Sequence, residues 1–350
     1  MTPLRVAVIG GSRYFGRLLV DRLRTSGAHV TLVNRGSTPA PPGVDHVRAD
    51  RDDEEALRAA LAGRTFDVVL DQVCSTPTQA AVARRVFAGR TARYVMTSTI
   101  EVYAPPALGS VREPVREPVR EPVREPAPEP APEPAPESAP ESAPGAPHPT
   151  GPRPGQPPAL RAPGPRPVPL PEDAFDPTTW PVDLTLPWHD PTFRDAHYAE
   201  GKRQAEAVFA TDPPFPFVAV RSAHVLGGAD FTGRLAHYVD RARAGTPILV
   251  HRDPRPSSFT HPREIADFLH FTALADFTGP VNARSHGELT VTDLGAHLTP
   301  APVYREVSPG EDASPYSFAH YYGMSNTRAE SLGYHFSHTA DWLPTILDEF

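Results

Sequence analysis

The sequence predicts an α/β fold with a doubly wound parallel sheet, on two observations. Short apolar strands alternate with amphipathic helices, and a glycine-rich turn follows the first strand directly. Buried strands that alternate with helices imply a parallel sheet covered on both faces.

The elements are read in order. Leu4 to Ile9 is an apolar strand that ends in Gly10-Gly11. A helix pattern runs from Phe15 to Thr25, with Leu18, Leu19, Val20 and Leu23 apolar, and Gly27 closes it. His29 to Val33 is a second strand, stopped by Asn34-Arg35-Gly36, and Val44 to Val47 is a weaker third. Glu54 to Leu61 is helical, Phe66 to Leu70 a strand, Thr78 to Phe87 helical and Arg93 to Thr97 a strand. Further on, His197 to Phe209 is a helix, Phe217 to Val220 a sixth strand and Leu235 to Ala244 a helix. Pro247 to His251 begins a strand pair. Ile265 to Ala275 is helical, Pro280 to Ala283 a strand and Thr292 to Leu298 a helix. Two short helices, Thr327 to Leu332 and Thr339 to Glu349, end the pattern.

Between these halves the composition changes. Val111 to Pro126 is Val-Arg-Glu-Pro four times over, followed by Ala-Pro-Glu repeats to Ser142, and proline stays dense to Pro171. Proline at that frequency forbids helix and central strand. Residues 105–170 are therefore expected to be a disordered, polyproline-II-like insertion, a solvated spacer rather than a docking site for a Pro-binding module.

The bulk numbers exclude several classes. A net charge of -8 argues against nucleic-acid binding, which usually needs a basic field. One cysteine, Cys74, excludes a disulfide framework and suits a reducing compartment. A strand starting near residue 4 leaves no room for a signal peptide, and no apolar run could span a bilayer. No Cys/His cluster has metal-ligand spacing, so no metal is expected. A cytoplasmic protein, monomer or homodimer, acting on a small molecule away from membranes is the expectation.

Four constellations carry chemistry. The first is Gly10-Gly11-Ser12-Arg13-Tyr14-Phe15-Gly16, between a strand and a helix. Glycines there allow a tight turn and close approach of a pyrophosphate to the helix N-terminus, as in a Rossmann dinucleotide site. The second is Asn34-Arg35 at the end of the second strand. An acidic residue there would accept from the ribose of NAD, whereas Arg35, with Arg13, suits a 2′-phosphate. NADP is thus favoured over NAD.

The third is Tyr198 with Lys202, four apart on one helix face. An ammonium beside a phenol favours the phenolate, and such a tyrosine can exchange a proton with a substrate oxygen. Lys202 is the only lysine of a chain that uses arginine everywhere else. With 10 tyrosines in 350 residues, a single lysine falls four after a tyrosine by chance about 3% of the time. The fourth is Met96-Thr97-Ser98-Thr99 with Val102-Tyr103, hydroxyls at a strand's carboxyl end, where ligands of open α/β sheets bind.

Together these resemble the extended short-chain dehydrogenase/reductase family in its NAD-dependent epimerase/dehydratase branch. Asp50, Val220 to His224, and Ser258-Phe259-Thr260-His261 leading to Asp267 extend the resemblance over the chain outside the insertion. It implies Thr99, Tyr198 and Lys202 as the catalytic set. It also implies that Asp50 meets the adenine, that Gln72, Val73 and Cys74 line the nicotinamide side, that Ser98 contacts the cofactor, and that Ser222, Ala223 and His224 close over it. Arg13 in place of a loop glycine, and Asn-Arg-Gly after the second strand, look like the subgroup related to chloroplast stem-loop-binding proteins. Nucleotide-sugar members carry an arginine just before the Phe259 position, where this chain has Ser257 and Ser258, with Arg252 and Arg255 upstream.

The expected organisation is a Rossmann domain in two parts, 1–104 and 171–225, with a smaller substrate-binding region over most of 226–350. The expected function is hydride transfer at a hydroxyl or carbonyl of a sugar-like or natural-product molecule, by an NAD(P)-dependent reductase, dehydrogenase or epimerase. The alternative is a non-catalytic nucleotide- or RNA-binding protein on the same fold.

Overall fold

A computed structural model describes residues 2–105, 167–228 and 230–350. The expected disordered insertion falls almost wholly outside the described residues. Leu170, placed within it from the sequence, is bridged to Met324 instead.

The first half runs β1 (Arg5–Ile9), α1 (Tyr14–Thr25), β2 (His29–Asn34), β3 (Asp45–Arg48), α2 (Glu54–Ala60), β4 (Val68–Asp71), α3 (Pro77–Phe87) and β5 (Tyr94–Thr99). After residue 167 come α4 (Pro191–Ala196), α5 (Tyr198–Ala210), β6 (Phe217–Ser222), β7 (His224–Val225), α6 (Arg234–Ala244), β8 (Ile248–Val250), β9 (Phe259–Thr260) and α7 (Pro262–Leu274). The chain ends with β10 (Gly279–Ala283), α8 (Val291–Gly295), β11 (Tyr304–Glu306), α9 (Thr327–Ser331) and α10 (Thr339–Leu347).

Seven strands form one parallel sheet in the order β10-β6-β5-β4-β1-β2-β3. The order reverses at β1, whose neighbours are β2 and β4, so a crevice opens beyond the carboxyl ends there. Alternation along β1 explains the two covered faces. Val6 and Val8 join a core with Leu19, Leu23, Phe268 and Leu269, from α1 and α7. Ala7 and Ile9 join the opposite core with Leu57, Val86 and Phe209, from α2, α3 and α5. Full burial of each of these side chains larger than alanine is worth about 1.5–3 kcal/mol.

A third core, with Leu235, Tyr238, Ile248, Leu294 and Leu343, belongs to the later segments. The strand Gly279–Ala283, within the stretch expected to serve the substrate, is an edge strand of the main sheet. The strand begun at Pro247 does pair, but in parallel with β11, more than fifty residues later. Helix α4 escaped the sequence reading, although Asp190 caps it by accepting from Thr192 N at 2.8 Å and Pro191 opens it.

Candidate functional site

Because the sheet is parallel, the ends of β1, β2, β4, β5 and β6 reach the same edge. The expected site residues lie at or just beyond these ends, after β3 in the case of Asp50, or on the start of α5.

Gly10 turns the chain out of β1 with φ +88°, a conformation side chains rarely adopt, and a Cβ there would stand 2.7 Å from Val73 Cγ1. Gly11 continues the left-handed turn, and Gly16 packs against it. The first turn of α1 carries no acidic residue, which leaves its amide groups and dipole to an anion. Arg13 is exposed, and Phe15, partly buried, packs against the core shared by α1 and α7. Tyr14 has φ +50° and packs edge-on to Phe231, with ring centres 6.3 Å apart. Burial pushes its phenol far above the usual range, so it stays neutral.

At the end of β2, the Asn34 side chain shapes the loop. Its Nδ2 donates to Ser12 Oγ at 2.8 Å, while its Oδ1 accepts from Gly36 N at 2.7 Å and lies 2.9 Å from His46 Nε2. Arg35 is exposed beside it. Asp50, after β3, is exposed and accepts from Asp52 N at 3.0 Å.

Beyond β4, Gln72 has both amide polar atoms buried with no protein partner. Val73 is 45% exposed at the crevice. Cys74 is fully buried, and that burial pushes its thiol up to about 11. It is a packing residue with its Sγ toward Thr76 O.

On β5, Thr97 and Thr99 face opposite to Ser98. Lys202 Nζ donates to Thr97 O at 2.7 Å and lies 5.7 Å from the ring centre of Tyr198. Lys202 is buried and Tyr198 half-buried. Gly201 lets α5 come this close, since a Cβ there would run into the main-chain oxygen of Ser75. Thr99 Oγ1 accepts from Glu101 N at 3.3 Å, and Thr97 Oγ1 is buried without a partner. Ser98 turns the other way: its hydroxyl donates to Glu206 Oε1 at 2.5 Å. Glu206 also holds Arg221, at 2.8 Å, with both side chains fully buried. On β6, Ser222 pairs in register with Thr99 and donates to Ala223 O at 2.9 Å. Ala223 packs with Ile100, Tyr322 and Met324, and His224 stacks on Phe318 with ring centres 4.9 Å apart.

The donor set fits a nicotinamide dinucleotide. A turn that a Cβ would fill, a helix start without acidic side chains, and the buried, unpartnered groups of Gln72 and Thr97 lie at or near the carboxyl ends of β1, β4 and β5. A cavity of about 580 Å³ lined by Glu172, Phe175, Phe209, Pro280 and Arg328 contains none of these residues. Among the described residues no cluster of three or more His, Cys, Asp or Glu could hold a metal, and no helix is long and apolar enough to cross a membrane.

Comparison with known proteins bears on this crevice. Residues 6–87 match the NAD dependent epimerase/dehydratase family. That epimerase/dehydratase segment spans β1 to α3 and so includes the glycine loop, Asn34-Arg35, Asp50 and Gln72 to Cys74. The chain is 36% identical over 112 residues to a 2'-dehydrokanamycin reductase of Streptomyces kanamyceticus, a match covering 31% of this chain and about a third, 32%, of that protein. The fold is that of a UDP-glucose 4-epimerase from Thermotoga maritima, solved with UDP-glucose (TM-score 0.64, 14% identity, 99% of this chain and 98% of that one). Bordetella bronchiseptica WbmH, solved with NAD+, shares it too (TM-score 0.62, 13% identity, 100% of both chains).

Sequence reasoning missed Asp71, Arg51 and Tyr94. An aspartate closing the apolar run Val68-Val69-Leu70 was a signal, since a charge there needs a partner. Nothing in the sequence pointed to Arg51 as that partner.

Proposed function

We propose that this protein is an NAD(P)-dependent oxidoreductase or epimerase acting on a hydroxyl or carbonyl of a sugar-like or natural-product molecule. The observation that carries this reading is the position of Lys202: buried, anchored on Thr97 O and 5.7 Å from the Tyr198 ring centre. A surface charge pair would need neither the burial nor the anchor.

When bound, the nicotinamide would take or give the hydride at the substrate carbon. Tyr198 would exchange the proton at the substrate oxygen. Lys202, fixed by Thr97, would donate to a ribose hydroxyl. Thr99, at the same strand end, would orient the substrate oxygen. The glycine loop and the start of α1 would take the pyrophosphate, and Asp50 the adenine. NADP is the preferred form in this reading. The oxygen of Asn34 is already engaged by Gly36 and His46, while Arg13 and Arg35 are exposed nearby for a 2′-phosphate.

The 2'-dehydrokanamycin reductase match supports a carbonyl reduction on a natural product. Ser257 and Ser258 are fully buried where nucleotide-sugar enzymes present an arginine, which disfavours a nucleoside-diphosphate sugar. In this reading the chain divides as expected from the sequence, with β10 and α7 added to the Rossmann part. The test is turnover of a panel of carbonyl and alcohol natural products with NADPH or NADP+, by wild type and Tyr198→Phe. Turnover by the wild type alone supports the reading; equal turnover by both rejects Tyr198.

A further inference from the structure

Asp71 ends β4 with a fully buried carboxylate. Arg51 Nη1 lies 2.7 and 2.8 Å from its two oxygens. Tyr94 donates its hydroxyl to Oδ2 at 2.6 Å, and the main-chain N–H groups of Val73 and Cys74 donate to Oδ1 at 3.1 Å each. The Arg51 side chain is only 10% exposed; its Nη2 donates to Gln79 O at 3.2 Å, and its Nε is buried with no protein partner.

The two ends of this pair come from strands that are not neighbours, for β1 and β2 lie between β4 and β3. Arg51 follows Asp50 directly, and Asp71 precedes Gln72 directly. The pair therefore ties the segment after β3 to the end of β4, and so joins the loop given to the adenine to the loop given to the nicotinamide. Buried ion pairs contribute little to stability compared with apolar packing, so one retained here calls for a geometric reason.

We propose that Arg51 and Asp71, closed by Tyr94, are positioning residues that set the separation of the two loops and so match the crevice to an intact dinucleotide. The proposal rests on the cofactor reading above. Two independent observations bear on it: the four donor atoms that make five contacts to one carboxylate, and the buried, unpartnered Nε of Arg51 and amide of Gln72 on the two ends of the tie.

Calorimetric titration of NADP+ and of adenosine 2′,5′-bisphosphate, its adenine-side half, separates spacing from local damage. In Asp71→Asn, which keeps the shape and removes the charge, NADP+ is expected to bind at least tenfold more weakly than to wild type, and the half-molecule within threefold. Tyr94→Phe removes one hydrogen bond only; it should separate the two ligands in the same direction by about threefold, and it reports if Asp71→Asn fails to fold. Equal losses for both ligands, or unchanged NADP+ affinity, would overturn the proposal. Wild-type protein that binds neither ligand would overturn the cofactor reading, and the tie with it.

Discussion

Lys202 holds the main-chain oxygen of Thr97 at 2.7 Å, and this bond fixes α5 against the carboxyl end of β5. The ammonium cannot leave without exposing a buried acceptor. Lys202→Arg keeps the charge but brings a larger, planar head into a buried site. Turnover is expected to fall about 10²- to 10⁴-fold, the loss typical of a displaced acid–base group. Stability should fall by about 1–3 kcal/mol through overpacking. Steady-state rates and urea unfolding of the same preparation check both.

Gly201→Ala tests the approach of α5 from the other side. The added methyl meets the rigid carbonyl of Ser75, so the helix carrying Tyr198 and Lys202 has to move. A stability loss of about 1–3 kcal/mol is expected, together with a lower turnover number. An unchanged melting midpoint would contradict the packing described.

Glu206 and Arg221 are fully buried and bonded at 2.8 Å, with Ser98 on the same carboxylate. Glu206→Gln leaves the guanidinium uncompensated. Breaking such a pair costs about 3–5 kcal/mol, and urea unfolding of the variant should show a loss of that order.

Cys74 offers a pH test. Burial raises its folded-state pKa from 9.0 to about 11. The neutral thiol is therefore favoured by folding. That contribution is complete below pH 9 and disappears as the pH rises to about 11. Native protein at pH 8 is expected to react with a thiol reagent at least about a hundredfold more slowly than in urea, since the thiolate is the reactive form. A fast reaction in the native state would place the thiol at the surface.

Arg35→Ala addresses the choice of cofactor. Wild type is expected to hold NADP(H) about tenfold more tightly than NAD(H), a difference of about 1.4 kcal/mol. The variant should lose most of that preference without losing NAD(H). Equal wild-type affinities would remove the role given to Arg35.

Most of the sheet was legible because the inner strands β1, β2, β4, β5 and β6 contain apolar runs buried on both faces, and the alternating helices carry one apolar stripe. The glycine loop was legible because Gly10 takes a conformation few other residues take. Tyr198 and Lys202 were legible from helical spacing and from a single lysine in an arginine-rich chain. The Arg51–Asp71 tie was not, since it joins strand ends kept apart by two strands. Ser98 could not be told from Thr97 and Thr99 by composition, and only the alternation of β5 turns it toward Glu206. The partner of β8 was hidden for a similar reason: a parallel strand needs a long crossover, and β11 is too short to stand out.

The central claim is that the crevice at the ends of β1, β4 and β5 holds a nicotinamide dinucleotide. Direct titration of the purified chain with NADPH, followed by nicotinamide fluorescence, tests it. We expect saturable one-to-one binding in the micromolar range, retained in Tyr198→Phe, because only the phenol's proton exchange is removed. The absence of saturable binding of either NADPH or NADH to the wild-type protein would contradict the account.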